Sequence, residues 1–157
     1  MAFVINPTDV VARIGSNYPP EFADVCAGRE KRALGDAAGL KNFGVNLTTL
    51  HPGAASSQGH WHTTQDELIY VLVGEVTLIT DEGEEVLRPG MAAGFPAGQA
   101  DGHCLVNRSD RDATYLEIGD RTPTDEVNYP EIDLAVRLVD GRRSYVRKDG
   151  SLFEGRS

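Results

Sequence analysis

Four side chains in this sequence have the types and the spacing to hold a metal ion. His60 and His62 lie one residue apart in GHWHTTQDELIYVLVGE (59–75), in a chain with only four histidines. On an extended strand, residues i and i+2 point to the same face. Two such imidazoles, about 6–7 Å apart along the backbone, can converge on one cation. Glu67 follows five positions after His62. That odd offset would place it on the opposite face of an unbroken strand. The intervening Thr63-Thr64-Gln65-Asp66 is polar and turn-like, so Glu67 is expected to open the next strand and to face the same interior. His103 stands in a separate strand-like segment after PAGQADG. Three imidazoles and one carboxylate form a mixed nitrogen and oxygen donor set. Such a set suits a divalent transition metal, and Mn, Fe, Ni, Zn and Cu all remain open. The bland alternative for His60 and His62 alone is a pair of polar side chains on a solvated loop.

The elements that must position these residues read as short β-strands. Seventeen glycines and eight prolines punctuate the chain at intervals too short for long helices. FGVNLTTL (43–50), ELIYVLVG (67–74), EVTLIT (75–80), HCLVN (103–107) and ATYLEIG (113–119) have β-type composition and are bounded by turn residues, a pattern that favours a sandwich or barrel. Alternation from Glu67 puts Ile69, Val71 and Val73 on the inner face, and Leu68, Tyr70 and Leu72 on the outer. The segment VCAGREKRALGDAAGL (25–40) is expected to be a short helix or an irregular arm, because Gly28, Gly35 and Gly39 oppose a long helix. The tail from Tyr129 onward reads as one or two added strands, with a hairpin turn at Lys148-Asp149-Gly150. The acidic run Asp81 to Glu85 reads as an exposed hairpin tip.

A length of 157 residues fits one domain with one real core. The net charge of −9 repels nucleic-acid phosphates and anionic lipid, so neither is expected as a partner. Two cysteines are too few for a disulfide framework. No window approaches the ~18 apolar residues of a membrane span, and the N-terminus lacks the pattern of a signal peptide. A cytoplasmic protein is expected.

The spacing His60-x-His62, Glu67, Gly74 resembles the first motif of the cupin superfamily. Gly90, Pro96, Gly98, His103 and Asn107 resemble the second, and together the two cover roughly residues 53–107. Two spacings depart from the pattern. Gly53 is six residues before His60 instead of five, and Gly98 is separated from His103 by four residues instead of two. The resemblance implies an all-β fold, a double-stranded β-helix or jelly roll whose conserved barrel spans about residues 43–120. The N-terminal arm and C-terminal strands would be additions within a single 1–157 domain. It also implies His60, His62, Glu67 and His103 as metal ligands. Four protein ligands on a six-coordinate ion leave two adjacent positions, which a small substrate with two neighbouring oxygens can chelate. Isomerase-, lyase- or dioxygenase-like chemistry would follow.

No residue in the motifs is an obvious general base. Gln65, Tyr70 and Asp101 are unranked candidates, and no catalytic residue is assigned. The competing reading is a non-catalytic binder of a small molecule or metal, or a sensor. An ordered acid or base beside the metal would favour catalysis, whereas a mouth lined only by apolar groups would favour binding. Cys104 is expected to be a buried, inert thiol, His51 a turn residue, Asn107 a structural hydrogen-bonding residue, and Trp61 a core or interface anchor. Outward apolar groups and open sheet edges lead us to expect a homodimer.

Overall fold

A computed structural model describes residues 1–153. In chain order its strands are β1 (Arg13–Ile14), β2 (Arg29–Ala33), β3 (Phe43–Leu50), β4 (Trp61–His62), β5 (Glu67–Val73), β6 (Val76–Thr80) and β7 (Gly83–Leu87). They continue with β8 (Ala92–Phe95), β9 (Cys104–Val106), β10 (Ala113–Asp120), β11 (Val127–Tyr129), β12 (Leu134–Val139) and β13 (Arg142–Val146). Two helices, α1 (Pro20–Ala23) and α2 (Leu34–Ala37), are four residues each. The expected all-β jelly roll is what forms.

One wall is a six-stranded antiparallel sheet in the order β1-β2-β3-β10-β5-β8. The other side carries β7-β6-β9 and β13-β12-β11-β4. An antiparallel bridge between His60 and His103 links β4 to β9, so two of the sequence-derived ligands are themselves the seam. Between the walls lies the main core of Leu50, Ile69, Val71, Val76, Leu87, Leu105 and Tyr115. Ile69 and Val71 are buried, while Leu68, Tyr70 and Leu72 are partly exposed on the outer face, as period-2 alternation requires.

Val73 departs from that alternation and is 59% exposed. The β5–β10 register shifts between Thr114 and Tyr115, whose partners are Val73 and Val71. The extra residue on β5 is a bulge, and a bulge turns the next side chain off its expected face. The N-terminal segment also differs from expectation. Within 25–40 the α-helix is confined to Leu34–Ala37, a 3-10 turn Asp24–Cys26 opens the segment, and Arg29–Ala33 is a strand on the edge of β3, with Lys31 opposite Thr48. REKRA carries no β-branched residue to signal a strand; the open edge of β3 imposes it.

The C-terminal hairpin turns at Asp140-Gly141, both at positive φ, between β12 and β13. Lys148 to Gly150 turns the chain again, so that Leu152 bridges back to Val146. The N-terminal arm and this hairpin build a second core. Tyr18, Cys26, Val127, Tyr129, Leu134, Val136 and Phe153 pack there, with Tyr18 edge-on to Tyr129 at 5.7 Å.

Candidate metal centre

The strands bring the first three sequence-derived ligands to one point. Ligand atoms of His60, His62 and Glu67 all lie within 4.8 Å of one another. The Glu67 Oε2 atom is 3.9 Å from His60 Nε2, 3.8 Å from His62 Nε2 and 3.2 Å from His103 Nε2. His103 therefore stands beside the group through its contact with Glu67 and is 5% exposed. Its ring stacks on Phe95, with centroids 3.6 Å apart and planes 3° from parallel. The longer Gly98–His103 loop leaves His103 facing inward, because Gly98 at φ +76 turns the chain and the bridge to His60 then fixes the face.

The outer nitrogens of both paired histidines are committed. His60 Nδ1 lies 2.9 Å from the carbonyl of Gln58 and 3.2 Å from Ser57 Oγ. A carbonyl only accepts, so His60 carries its proton on Nδ1 and presents a bare Nε2. His62 Nδ1 is 2.7 Å from Asp125 Oδ2, which fixes the same tautomer. Burial lowers the His60 pKa to about 4 and keeps its lone pair available. Burial would raise the Glu67 pKa, but the hydrogen bond with His103 and the surrounding imidazoles outweigh it and hold the carboxyl low. A neutral His60 imidazole and an ionised Glu67 carboxylate are donor forms that a divalent transition metal takes.

Asp125 was not visible as a site residue in the sequence. It is fully buried and accepts from His62, from the Thr64 backbone N–H at 3.0 Å and from Arg143 at 3.3 Å. Burial would raise its pKa, but the His62 hydrogen bond and the Thr64 N–H bring it below the ordinary value. A carboxylate behind a ligating histidine is the arrangement that orients the ring and raises its basicity. Asp125 is 63 positions from His62, so no local spacing signals it.

A cavity of about 350 Å³ opens on the group. Its walls include Ile69, Phe95, Tyr115, Glu117 and Lys31 beside the three histidines and Glu67. Of the suggested general bases, none faces it. Tyr70 lies on the outer face, 40% exposed. Gln65 donates to the Thr122 carbonyl at 3.1 Å, and Asp101 accepts the Asp81 N–H at 2.9 Å at the β6–β7 hairpin tip. Instead β10 supplies Glu117, two residue pairs along from Glu67: Gly119 is opposite Glu67 and Glu117 opposite Ile69. Lys31 Nζ donates to both Glu117 oxygens at 2.8 and 3.1 Å, and Asn46 Nδ2 donates to one at 3.1 Å. The Tyr115 hydroxyl is buried without a partner at hydrogen-bonding geometry among the described residues.

The cupin domain family matches residues 46–119. A sugar phosphate isomerase of the cupin superfamily from Silicibacter pomeroyi is 43% identical, with 97% of each chain covered and a TM-score of 0.90. This chain belongs to the cupin superfamily. A second protein, from Acidithiobacillus ferrooxidans and provisionally called a sugar phosphate isomerase, is 28% identical over 90% of this chain and 86% of its own, with a TM-score of 0.76. The polyketide cyclase RemF from Streptomyces resistomycificus is 25% identical over 76% of this cupin and 80% of its own chain, with a TM-score of 0.64. Among curated proteins no relative matches. The matched span of this cupin holds His60, His62, Glu67, His103 and Glu117. Lys31 and Asp125 lie outside it.

The other sequence readings fall into place around the centre. Asn107 is fully buried and donates to the carbonyls of Leu50 and Arg111, a structural role. Burial raises the Cys104 pKa, so the thiol stays protonated and weakly reactive. Trp61 is half-buried on β4. His51 is not a bare turn residue, because it joins Asp112 at 2.8 Å and Glu30 at 3.1 Å.

Proposed function

We propose that this cupin is a metal-dependent enzyme that moves a proton on a small, oxygen-rich substrate chelated through two adjacent oxygens, in an isomerase- or lyase-like reaction. The observation that carries this reading is Glu117. It is a carboxylate outside the ligand group, it lines the same cavity, and two donors fix its position. Diagonal neighbours on paired strands sit roughly 7–8 Å apart, within reach of long side chains, which leaves room for a substrate between Glu67 and Glu117. A wall containing Glu117, Lys31 and Tyr115 also differs from the apolar mouth that would favour simple binding.

His60, His62 and Glu67, with His103 beside them, would hold the ion. When bound, it would polarise the chelating oxygens and acidify the neighbouring C–H. Glu117 accepts the proton from that carbon and holds it against Lys31. It then returns the proton to the adjacent carbon while the hydroxyl proton passes from one of the two neighbouring oxygens to the other, so that the product is an isomer with no net change in atoms or electrons. Lys31 and Asn46 orient the carboxylate, and Ile69 and Phe95 keep water from the reacting bond. The 43% identical protein named as a sugar phosphate isomerase supports this class of reaction.

The test is proton exchange. The protein is loaded with each of Mn, Fe, Ni, Zn and Cu and incubated in deuterium oxide with a panel of aldoses, ketoses and 2-hydroxy acids. Loss of C–H signal is then followed by proton NMR. Exchange in the wild type, with a drop of roughly 10²–10⁴ in Glu117→Gln at unchanged metal content, is the expected result. Equal exchange in the two proteins removes Glu117 from the chemistry, and no exchange with any metal removes the proton-transfer reading.

A further inference from the structure

The cavity is basic in an acidic protein. The chain carries a net −9, yet Arg13, Arg29, Lys31 and Arg143 line the cavity against only Glu67 and Glu117 among its carboxylates. Two of the four cations are engaged. Arg29 is 6% exposed and donates to the carbonyls of Gly15 and Ser56, and Lys31 is paired with Glu117. The other two have donors to spare. Arg13 makes no ion pair among the described residues, and Arg143 gives one amino group to Asp125 at 3.3 Å. That Asp125 oxygen is already shared with His62 Nδ1.

These two arginines come from opposite ends of the chain. Arg13 sits on β1, opposite Lys31, and Arg143 on β13. Both lie outside residues 46–119, the span common to the family. The second core, which packs Tyr18 against Tyr129 and Tyr145, ties the arm and the C-terminal hairpin together beside the cavity.

We infer that Arg13 and Arg143 form an anion subsite, and that the substrate carries a tetrahedral dianion, a phosphate group, apart from the oxygens that meet the ligand group. This deepens the proposed function and rests on it for the second half of the substrate. The guanidinium fork matches phosphate oxygens two at a time. Low-dielectric walls focus the excess positive charge into the cavity, although the whole surface is acidic. Arg143 gives only one amino group to Asp125, so the two guanidinium groups keep donors for more oxygens than a carboxylate carries, which suits a phosphate better.

Calorimetric titration of the metal-loaded protein with inorganic phosphate at low ionic strength tests the subsite, with acetate as the carboxylate control. Saturable phosphate binding is expected, and Arg13→Ala and Arg143→Ala should each weaken it about tenfold or more. Arg13→Ala should keep the wild-type metal content, and Arg13→Lys should recover part of the loss. Affinities within twofold of the wild type in both alanine variants would place the phosphate on the metal or elsewhere and overturn the inference. Absence of saturable phosphate binding, or acetate binding as tightly, overturns it too. If the full chain retains no metal but binds phosphate through Arg13 and Arg143, the subsite stands and the metal-dependent function falls.

Discussion

At the residue scale, the centre is made by what stands behind each ligand as much as by the ligand itself. His60 and His62 turn their Nε2 atoms toward the group because the Gln58 carbonyl and the Asp125 carboxylate accept hydrogen bonds from their Nδ1–H groups. His60→Ala or His62→Ala should abolish bound metal, measured by elemental analysis of protein purified without chelator or nickel resin. Unchanged content would mean that the two histidines are not ligands. Asp125→Asn keeps the volume but loses the charge that raises His62 basicity. Metal affinity measured by chelator competition should fall about 10–100-fold, and an unaltered affinity would reduce Asp125 to a purely structural role. His60, His62, Glu67 and His103 were legible in the sequence because strand periodicity and motif spacing are local. Asp125, Glu117 and Arg13 were not: Glu117 and Arg13 reach the cavity through strand pairings, and Asp125 stands behind His62 from the segment before β11.

At the element scale, two tight junctions hold the walls in register. Gly74 ends β5 at φ +72, and a Cβ there would lie 2.5 Å from the Asp112 carbonyl oxygen and 2.9 Å from Ala113 Cα. Both are backbone atoms that cannot swing aside. Gly74→Ala should therefore cost roughly 2–4 kcal/mol in urea unfolding, whereas a loss below about 0.5 kcal/mol would show that the turn relaxes freely. His51 closes the other junction. Its hydrogen bonds with Asp112 and then Glu30 raise its pKa. A raised folded value means that the protonated ring stabilises the fold. That contribution is complete below the unfolded value of about 6.5 and is lost as pH rises through the higher folded value. Urea midpoints should fall between about pH 6 and 9 in the wild type and fall less in His51→Gln; parallel curves would show that His51 is not linked to folding. The β5 bulge at Val73 and the edge strand β2 belong to this scale. The first depends on register against β10, and the second on an edge that REKRA itself does not advertise.

At the scale of the whole molecule, the barrel supplies the group that could hold a metal, and its additions supply Arg13, Arg29, Lys31 and Arg143 to the cavity. The arm and C-terminal hairpin share a core with each other, so neither is a loose extension. Among the described residues no helix is long and apolar enough to cross a membrane. The outer face of the six-stranded sheet exposes Phe43, Leu68, Tyr70 and Leu72, each 40–43% accessible, around a shallow hollow that includes Pro96 and Ile118. We propose that a second copy covers this face. Gel filtration should give about twice the 17.0 kDa chain mass, and Leu68→Glu with Tyr70→Lys should return the single-chain mass. A wild type already at single-chain mass would dismiss the dimer. By itself the sequence determined the all-β class, the strand faces around Glu67 up to Val71, and the gathering of His60, His62 and Glu67 into a group that could hold a metal, because alternation and turn chemistry act over a few residues. Only the tertiary structure decided which groups share the cavity with that set. Glu117, Lys31, Arg13 and Arg143 come together there, with Asp125 behind His62, through antiparallel pairings between segments distant in the chain, and such pairings are fixed by edges and cores that exist only once the chain has folded.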